Sequence, residues 1–267
     1  MKRALPVIAA VLCVVVPFLG WHQTWFGRKL GDRELSQYLQ DQQHPRRIQH
    51  ALFQIVQRIE RGDPQVRQWY PQVAELGRHP MAKIRITAAW VMGQDNREET
   101  FHTAVRDLLG DSDLMVRRNA ALALVRFGDA GGRGELKGML HSQVITAPEG
   151  GRVSFPCRAG QKVEAGTLLA RVRGEVEVRS PFAGQVETLL AADGSEVPAG
   201  TPLVAVAPGA DQVWEALRGL YLVGQPQDLA EVDRYRQTAG EIPERLREQA
   251  VLTAQAIRTR GEPKSNR

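Results

Sequence analysis

Val144-Ile-Thr-Ala-Pro148-Glu-Gly-Gly151-Arg-Val153 returns later in the chain as Val178-Arg-Ser-Pro181-Phe-Ala-Gly184-Gln-Val186. Pro148 and Pro181, Gly151 and Gly184, and Val153 and Val186 are each 33 positions apart. The next stretch is doubled as well: Gly160-Gln-Lys-Val163-Glu-Ala-Gly166-Thr-Leu168-Leu169 reappears as Gly194-Ser-Glu-Val197-Pro-Ala-Gly200-Thr-Pro-Leu203. Apolar runs such as Leu168–Val172 and Leu203–Val206 alternate with Gly and Pro turn signals, which is the pattern of short strands. The Ala-Gly and Asp-Gly glycines supply positive-φ turns at matching places in each half. Two β-rich halves joined by a hairpin at Arg173–Gly174 predict a flattened, pseudo-twofold barrel over residues 143–208.

The doubled pattern A-P-x-x-G-x-V … G-x-x-V-x-x-G-x-x-L resembles the biotinyl/lipoyl carrier fold across residues 144–207. In that family the hairpin between the halves presents a lysine that is loaded covalently with biotin or lipoate. Here the hairpin reads Ala170-Arg-Val-Arg173-Gly174-Glu175-Val-Glu-Val178, and counting back from Pro181 puts the carrier position at Arg173, beside Gly174. Lys162, the only lysine of the domain, belongs to a different turn. A guanidinium stays protonated and non-nucleophilic at neutral pH, so it cannot be acylated in this way. The resemblance therefore implies a kept fold without its swinging arm, and no cofactor. The nearest functional cousins it implies are the unmodified lipoyl-like modules of membrane-fusion adaptors. Those are split by a long helical hairpin where this chain has a tight turn.

Upstream of the barrel, residues 33–141 are helical and repetitive. Ile84-Arg85-Ile-Thr-Ala88-Ala89-Trp-Val-Met92-Gly93 aligns with Val116-Arg117-Arg-Asn-Ala120-Ala121-Leu-Ala-Leu124. Val105–Asp111 supplies an intervening amphipathic helix and its stop, and Asp113 is placed to cap the helix that follows. Paired alanines allow close helix approach while Val, Leu and Met fill the seam. The D-x-x-x-V-R-x-x-A-A-x-A-L run at Asp113–Leu124 resembles the HEAT repeat. Segments 46–61 and 64–76 fit an earlier pair more loosely, with Pro45 and Pro64 near helix starts.

Helical spacing resumes over residues 211–260: Val213–Leu222, Leu229–Arg236, then Ile242–Leu252, which echoes Val116–Leu122. Taking Glu135–His141 as the second helix of a repeat, the barrel is expected at a repeat junction, interrupting no helix. Beads on a string, with an unrelated helical tail, is the alternative. Residues 261–267 form a short polar end.

The N-terminus carries the topology. Met1-Lys2-Arg3 precedes an uncharged run from Leu5 to Trp21, reaching about 26 Å as a helix, enough for a thin bilayer. The run ends Phe18-Leu-Gly-Trp-His without a small-residue cleavage site, and Trp21, Trp25 and Phe26 suit the lipid–water boundary. Residues 1–27 thus read as a single-pass signal anchor; a cleaved export signal is the alternative. The positive-inside rule, applied to Lys2 and Arg3, places the bulk outside the cytoplasm, which suggests an inner-membrane protein with a periplasmic body. Cys13 and Cys157 make no disulfide framework.

Across 267 residues, hydrophobic content of 43%, charged content of 24% and net charge +5 are those of ordinary globular material with a mildly basic surface. His22, His44, His50, His79, His102 and His141 form no H-E-x-x-H spacing, so no metal site is expected. No nucleophile elbow, Walker loop or dinucleotide fingerprint occurs. Glu98, Glu99, Asp107 and Asp111 are spread over helix faces and loops. No catalytic residue is assigned, and the chain reads as a non-enzyme.

Arg85, Arg117 and Arg247 occupy matching places in their helices and are expected to ladder with acids of neighbouring repeats. The other reading is a basic stripe for an anionic partner. A membrane tether and the lack of interleaved aromatics disfavour nucleic acid. The fold class expected is a multidomain α plus β protein: a HEAT-like solenoid with an inserted lipoyl-like barrel behind one transmembrane helix. The function expected is a noncatalytic, membrane-tethered scaffold for protein partners in a cell-envelope complex, with oligomerisation open. Alternatives are a periplasmic adaptor of an efflux or secretion system and an unconventional biotinyl or lipoyl carrier. An enzyme of the HEAT-like lyase or glycosylase kind has no residues in its favour.

Overall fold

The computed structural model describes residues 28–237 and 242–261. The expected anchor, Leu5 to Trp21, lies outside them, as does the 262–267 tail. Among the described residues no helix is long and apolar enough to cross a membrane.

Among the described residues, seven α-helices precede the strands: α1 (Asp32–Leu39), α2 (Pro45–Glu60), α3 (Tyr70–Glu75), α4 (Ala82–Met92), α5 (Glu99–Asp107), α6 (Leu114–Arg126) and α7 (Arg133–Gly138). Three follow: α8 (Ala210–Val223), α9 (Leu229–Gln237) and α10 (Glu244–Gly261). Local chemistry sets several starts. Pro45 opens α2, and the Asp113 carboxylate accepts the Met115 and Val116 N–H groups at the head of α6, a cap worth about 1 kcal/mol. The alanine pairs Ala88–Ala89 and Ala120–Ala121 are fully buried. A Cβ on Gly93 would stand 2.9 Å from that of Ala123, so α4 and α6 touch almost backbone to backbone.

Helices α2, α4, α6, α8 and α10 form one row of second helices, each packed on the next. On α8, a Cβ at Gly219 would meet Leu136 of α7 at 3.0 Å and Val125 of α6 at 3.3 Å. Ala121, Val125 and Leu136 share one core with Val213, Leu217, Ala250 and Ile257. The helices after the strands therefore continue the solenoid, and the beads-on-a-string alternative fails.

The expected insertion point is corrected. Helix α7 is the first helix of its pair and α8 is the second, so the strands occupy the turn inside a repeat, not a junction between repeats. A recurring polar contact shows the pairing. After three of the second helices, α4, α6 and α8, an aspartate holds the first helix of the same pair: Asp95 accepts from Tyr70 Oη at 2.9 Å, and Asp129 from His102 and Arg106 at 2.8 and 2.6 Å. Asp228, fully buried after α8, lies 3.0 Å from Arg133 and 3.4 Å from Lys137, both on or beside the α7 turn.

Eight strands fill that turn: β1 (Gln143–Thr146), β2 (Gly151–Ser154), β3 (Lys162–Val163), β4 (Leu168–Val172), β5 (Val176–Arg179), β6 (Gly184–Leu189), β7 (Glu196–Val197) and β8 (Pro202–Pro208). They form two four-stranded sheets, ordered β1-β8-β6-β3 and β5-β4-β2-β7. Exchanging each strand for its partner in the other half maps one order onto the other. The register obeys the same exchange: Gly151 faces Val197 and Arg152 faces Glu196, just as Gly184 faces Val163 and Gln185 faces Lys162. The turn bonds repeat too. Gly166 N–H donates to Ser180 O at 2.7 Å, and Gly200 N–H to Ala147 O at 2.8 Å. Both glycines have positive φ, which is why Gly recurs at those positions. Strands β1 and β8 are antiparallel neighbours, Gln143 opposite Val206, so the chain leaves and rejoins the solenoid at one place.

Candidate functional site

The barrel has two ends of different character. At the outer end β4 turns into β5 through Arg173 and Gly174, with φ +54° and +79°. The loop is three residues long, Arg173 to Glu175, with Val172 opposite Val176 and the Glu175 N–H donating to Val172 O at 3.3 Å. The Arg173 side chain is largely exposed and folds back, its Nε donating to Gly150 O at 2.7 Å and lying 3.7 Å from Glu149 Oε1. A Cβ on Gly151 would sit 2.4 Å from Arg173 Cγ, so this glycine makes room for the arginine stem. Lys162 is in β3, opposite Gln185, away from the hairpin.

At the inner end the loop 180–183, pseudo-equivalent to 147–150, carries Phe182 where its twin carries Glu149. Phe182 is buried, and its ring centre lies 4.6 Å from the guanidinium carbon of Arg118 on α6. Arg118 is 1% exposed. Its Nη1 donates to Gln212 Oε1 of α8 at 2.9 Å, and Gln212 in turn donates to Met139 O at 3.0 Å. Among the described residues its Nε and Nη2 are buried without a hydrogen-bond partner. Burial pulls the Arg118 pKa down to about 10, with Glu135 opposing and Arg117 assisting. A buried cation over an aromatic face recovers part of its lost hydration through the ring quadrupole. Leu114 and Met115 complete the contact against the barrel core. One arginine thus touches the solenoid, the barrel and the returning helix.

The sequence pattern did not single out Arg118 or Phe182. The available signal was helical phase: Arg118 falls on the stripe of Met115 and Leu122, where an arginine is forced inward.

The ladder arginines divide. Arg85 grips the Asp111 carboxylate with two bonds of 2.7 and 2.8 Å and also donates to His79 O. Arg117 donates to Asp111 O and to Glu135 Oε1, each at 2.8 Å. Both therefore converge on the turn at Asp111, whose carboxyl Arg85 holds below the usual carboxylate range. Their guanidinium groups are engaged, so no free basic stripe runs through them. Arg247 keeps the same place in its helix, its N–H donating to Pro243 O at 3.3 Å, but among the described residues its side chain makes no ion pair or hydrogen bond. The structure does not gather Arg173, Arg85, Arg117 and Arg247 into one site.

Cys157 is buried, its Sγ 3.0 Å from Leu169 O, and burial raises its pKa. Among the described residues no group of three or more His, Cys, Asp and Glu side chains could hold a metal ion.

Comparison with known proteins matches two family models. One, for HEAT repeats, covers residues 71–144; the other, described as biotin-requiring enzyme, covers residues 158–206. No curated protein matches the chain. Among solved structures, a single-chain, multi-domain long-chain acyl-CoA carboxylase aligns with 22% identity over 35% of this chain and 10% of that chain, at a TM-score of 0.25. The chain thus spans only a small fraction of that protein. The family matches and the geometry give a helical HEAT-type region followed by a small biotin/lipoyl-type β domain. That combination fits a scaffold or a carrier.

Proposed function

We propose that the chain is a noncatalytic scaffold, tethered by residues Leu5 to Trp21, that presents its solenoid and barrel to protein partners in a cell-envelope complex. The observation that carries this reading is the seam at Arg118. A module that only swings a cofactor needs freedom, whereas this barrel is spliced into a repeat turn and pinned by a buried side chain. Its hairpin points Arg173 and Gly174 outward, where a carrier would offer a lysine. Both module types act by displaying surface.

The test is a crosslinked pull-down of the full-length protein from native membranes, read by mass spectrometry. A stable set of envelope proteins, reduced when residues 143–208 are deleted, is the expected result. Recovery with soluble cytoplasmic enzymes alone would invert the topology and remove the scaffold reading. An efflux or secretion adaptor is the special case in which that set contains a pump and the protein forms defined rings.

The biotin/lipoyl family match favours a second reading, an unconventional carrier. Intact-protein mass separates the two. The scaffold reading expects the unmodified 29.6 kDa chain, less only its leader if that is cleaved. An added biotinyl or lipoyl group overturns it.

A further inference from the structure

Large apolar side chains left in solvent are distributed unevenly over the solenoid. Phe53, Trp90, Tyr221, Leu222, Val251 and Leu252 are all between 40% and 58% exposed, and all belong to the second-helix row α2, α4, α8 and α10. Among the described residues no first helix, α1, α3, α5, α7 or α9, has one. Exposed apolar groups gathered on one face mark an interaction surface, while scattered ones need no explanation.

The middle of that row is a groove of about 350 Å³ crossing α4, α6 and α8, with Trp90 and Leu222 on its walls. Its charged side chains are Arg126, Arg218 and Glu215. Among the described residues neither arginine has a carboxylate within ion-pair distance. Arg126 donates to Gln94 Oε1 at 2.7 Å, and Arg218 lies over the Trp214 ring at 4.5 Å, leaving Glu215 one helical turn away unpaired with it. Two exposed guanidinium groups beside a tryptophan and a leucine offer bidentate recognition of carboxylates next to an apolar anchor. Glu215 and the small number of cations count against a phosphate backbone, which needs several cations in line. The chain's own ends supply little that would fit: residues 1–27 contain no acidic residue, and 262–267 contain one.

We infer that this groove docks an extended segment of a partner protein in which acidic residues flank an aromatic or aliphatic anchor. The inference rests on the scaffold reading and gives that partner a chemistry.

A random-peptide display selection against the full-length protein tests it. The expected outcome is enrichment of peptides with Asp or Glu beside a large apolar residue. Their binding, followed by fluorescence anisotropy, should weaken roughly thirtyfold in Trp90→Ala and in the doubly reversed Arg126→Glu, Arg218→Glu protein, the size of a central Trp or Arg contact. All three positions are exposed, and circular dichroism checks that each variant remains helical. No enrichment, enrichment of basic peptides, or binding indifferent to both variants overturns the inference. So does oligo-dT competing the selected peptides away. The native pull-down repeated with Trp90→Ala separates this from the wider reading. A partner set that persists while the peptide result fails removes the groove and leaves the scaffold; loss of every envelope partner from the wild-type protein removes the scaffold itself.

Discussion

Loops 147–150 and 180–183 are twins in backbone and opposites in use. Both follow a strand of the same pseudo-repeat, and both sit beside a glycine that permits close chain approach, Gly151 and Gly184. One puts Glu149 at the exposed hairpin end near Arg173; the other puts Phe182 under a buried arginine. Hydrogen-bonding symmetry thus builds the barrel, and the side chains that break the symmetry decide which end is anchored.

Substitutions can break that comparison. Phe182→Ala should cost about 3–5 kcal/mol of stability, as for a buried aromatic truncated in a core, whereas Glu149→Ala should stay within about 0.5 kcal/mol. Urea unfolding of both variants decides; equal costs would make the two ends alike. The glycines come next. A Cβ on Gly184 would lie 2.1 Å from Ala207 O, a backbone atom of β8 that cannot move without breaking the sheet. On Gly151 it would meet the movable stem of Arg173, although φ +152° adds strain there. Gly184→Ala is expected to lose roughly 3 kcal/mol and Gly151→Ala roughly 1, a gap measurable as the difference in thermal midpoint.

A third substitution sharpens the comparison at the seam. Among the described residues no carboxylate forms an ion pair with Arg118, and Glu135 acts on it only at longer range, so Arg118→Met should fall within about 1 kcal/mol of the wild type, because an apolar side chain of similar length escapes the desolvation cost. A loss several times larger would mean that the guanidinium bonds hold the seam. Acid provides the smallest and most selective test. Burial opposes ionisation of Asp129, but Arg106, the Gly131 N–H and His102 prevail and bring its carboxyl from the ordinary 3.8 to about 2. A depressed folded pKa means stability that is complete above about pH 4 and lost as pH falls toward 2. That loss should appear in helical unfolding and shrink in Asp129→Asn, while the acid-free contact of Arg118 with Phe182 contributes none of it.

Much of the architecture was legible because it is written twice. The 33-residue displacement of Pro, Gly and Val names a symmetric barrel, and Asp113 with its alanine pair names a solenoid helix. The insertion point is not legible in the sequence because Glu135–His141 is short and carries no signature of its own. Its membership is fixed by Asp228, far along the chain, which no local pattern could connect to it. Arg118 was hidden for a related reason: an arginine beside Arg117 looks like surface until a distant loop brings Phe182 over it. Arg247 shows the converse, a matching helix position where, among the described residues, no acidic side chain pairs with it to make a ladder rung.

The adjacency of β1 and β8 has a consequence for how the chain folds. Loop-closure entropy depends on the distance between a loop's ends and on the freedom of the chain joining them. Once the barrel is formed, residues 143–208 present α7 and α8 with ends already side by side, so the host closes what is in effect an ordinary short turn. If the barrel stays unfolded, the same two helices must meet across a long flexible segment. Mispairing or slow closure of the barrel would therefore delay the completion of the fourth helix pair, and everything stacked beyond it.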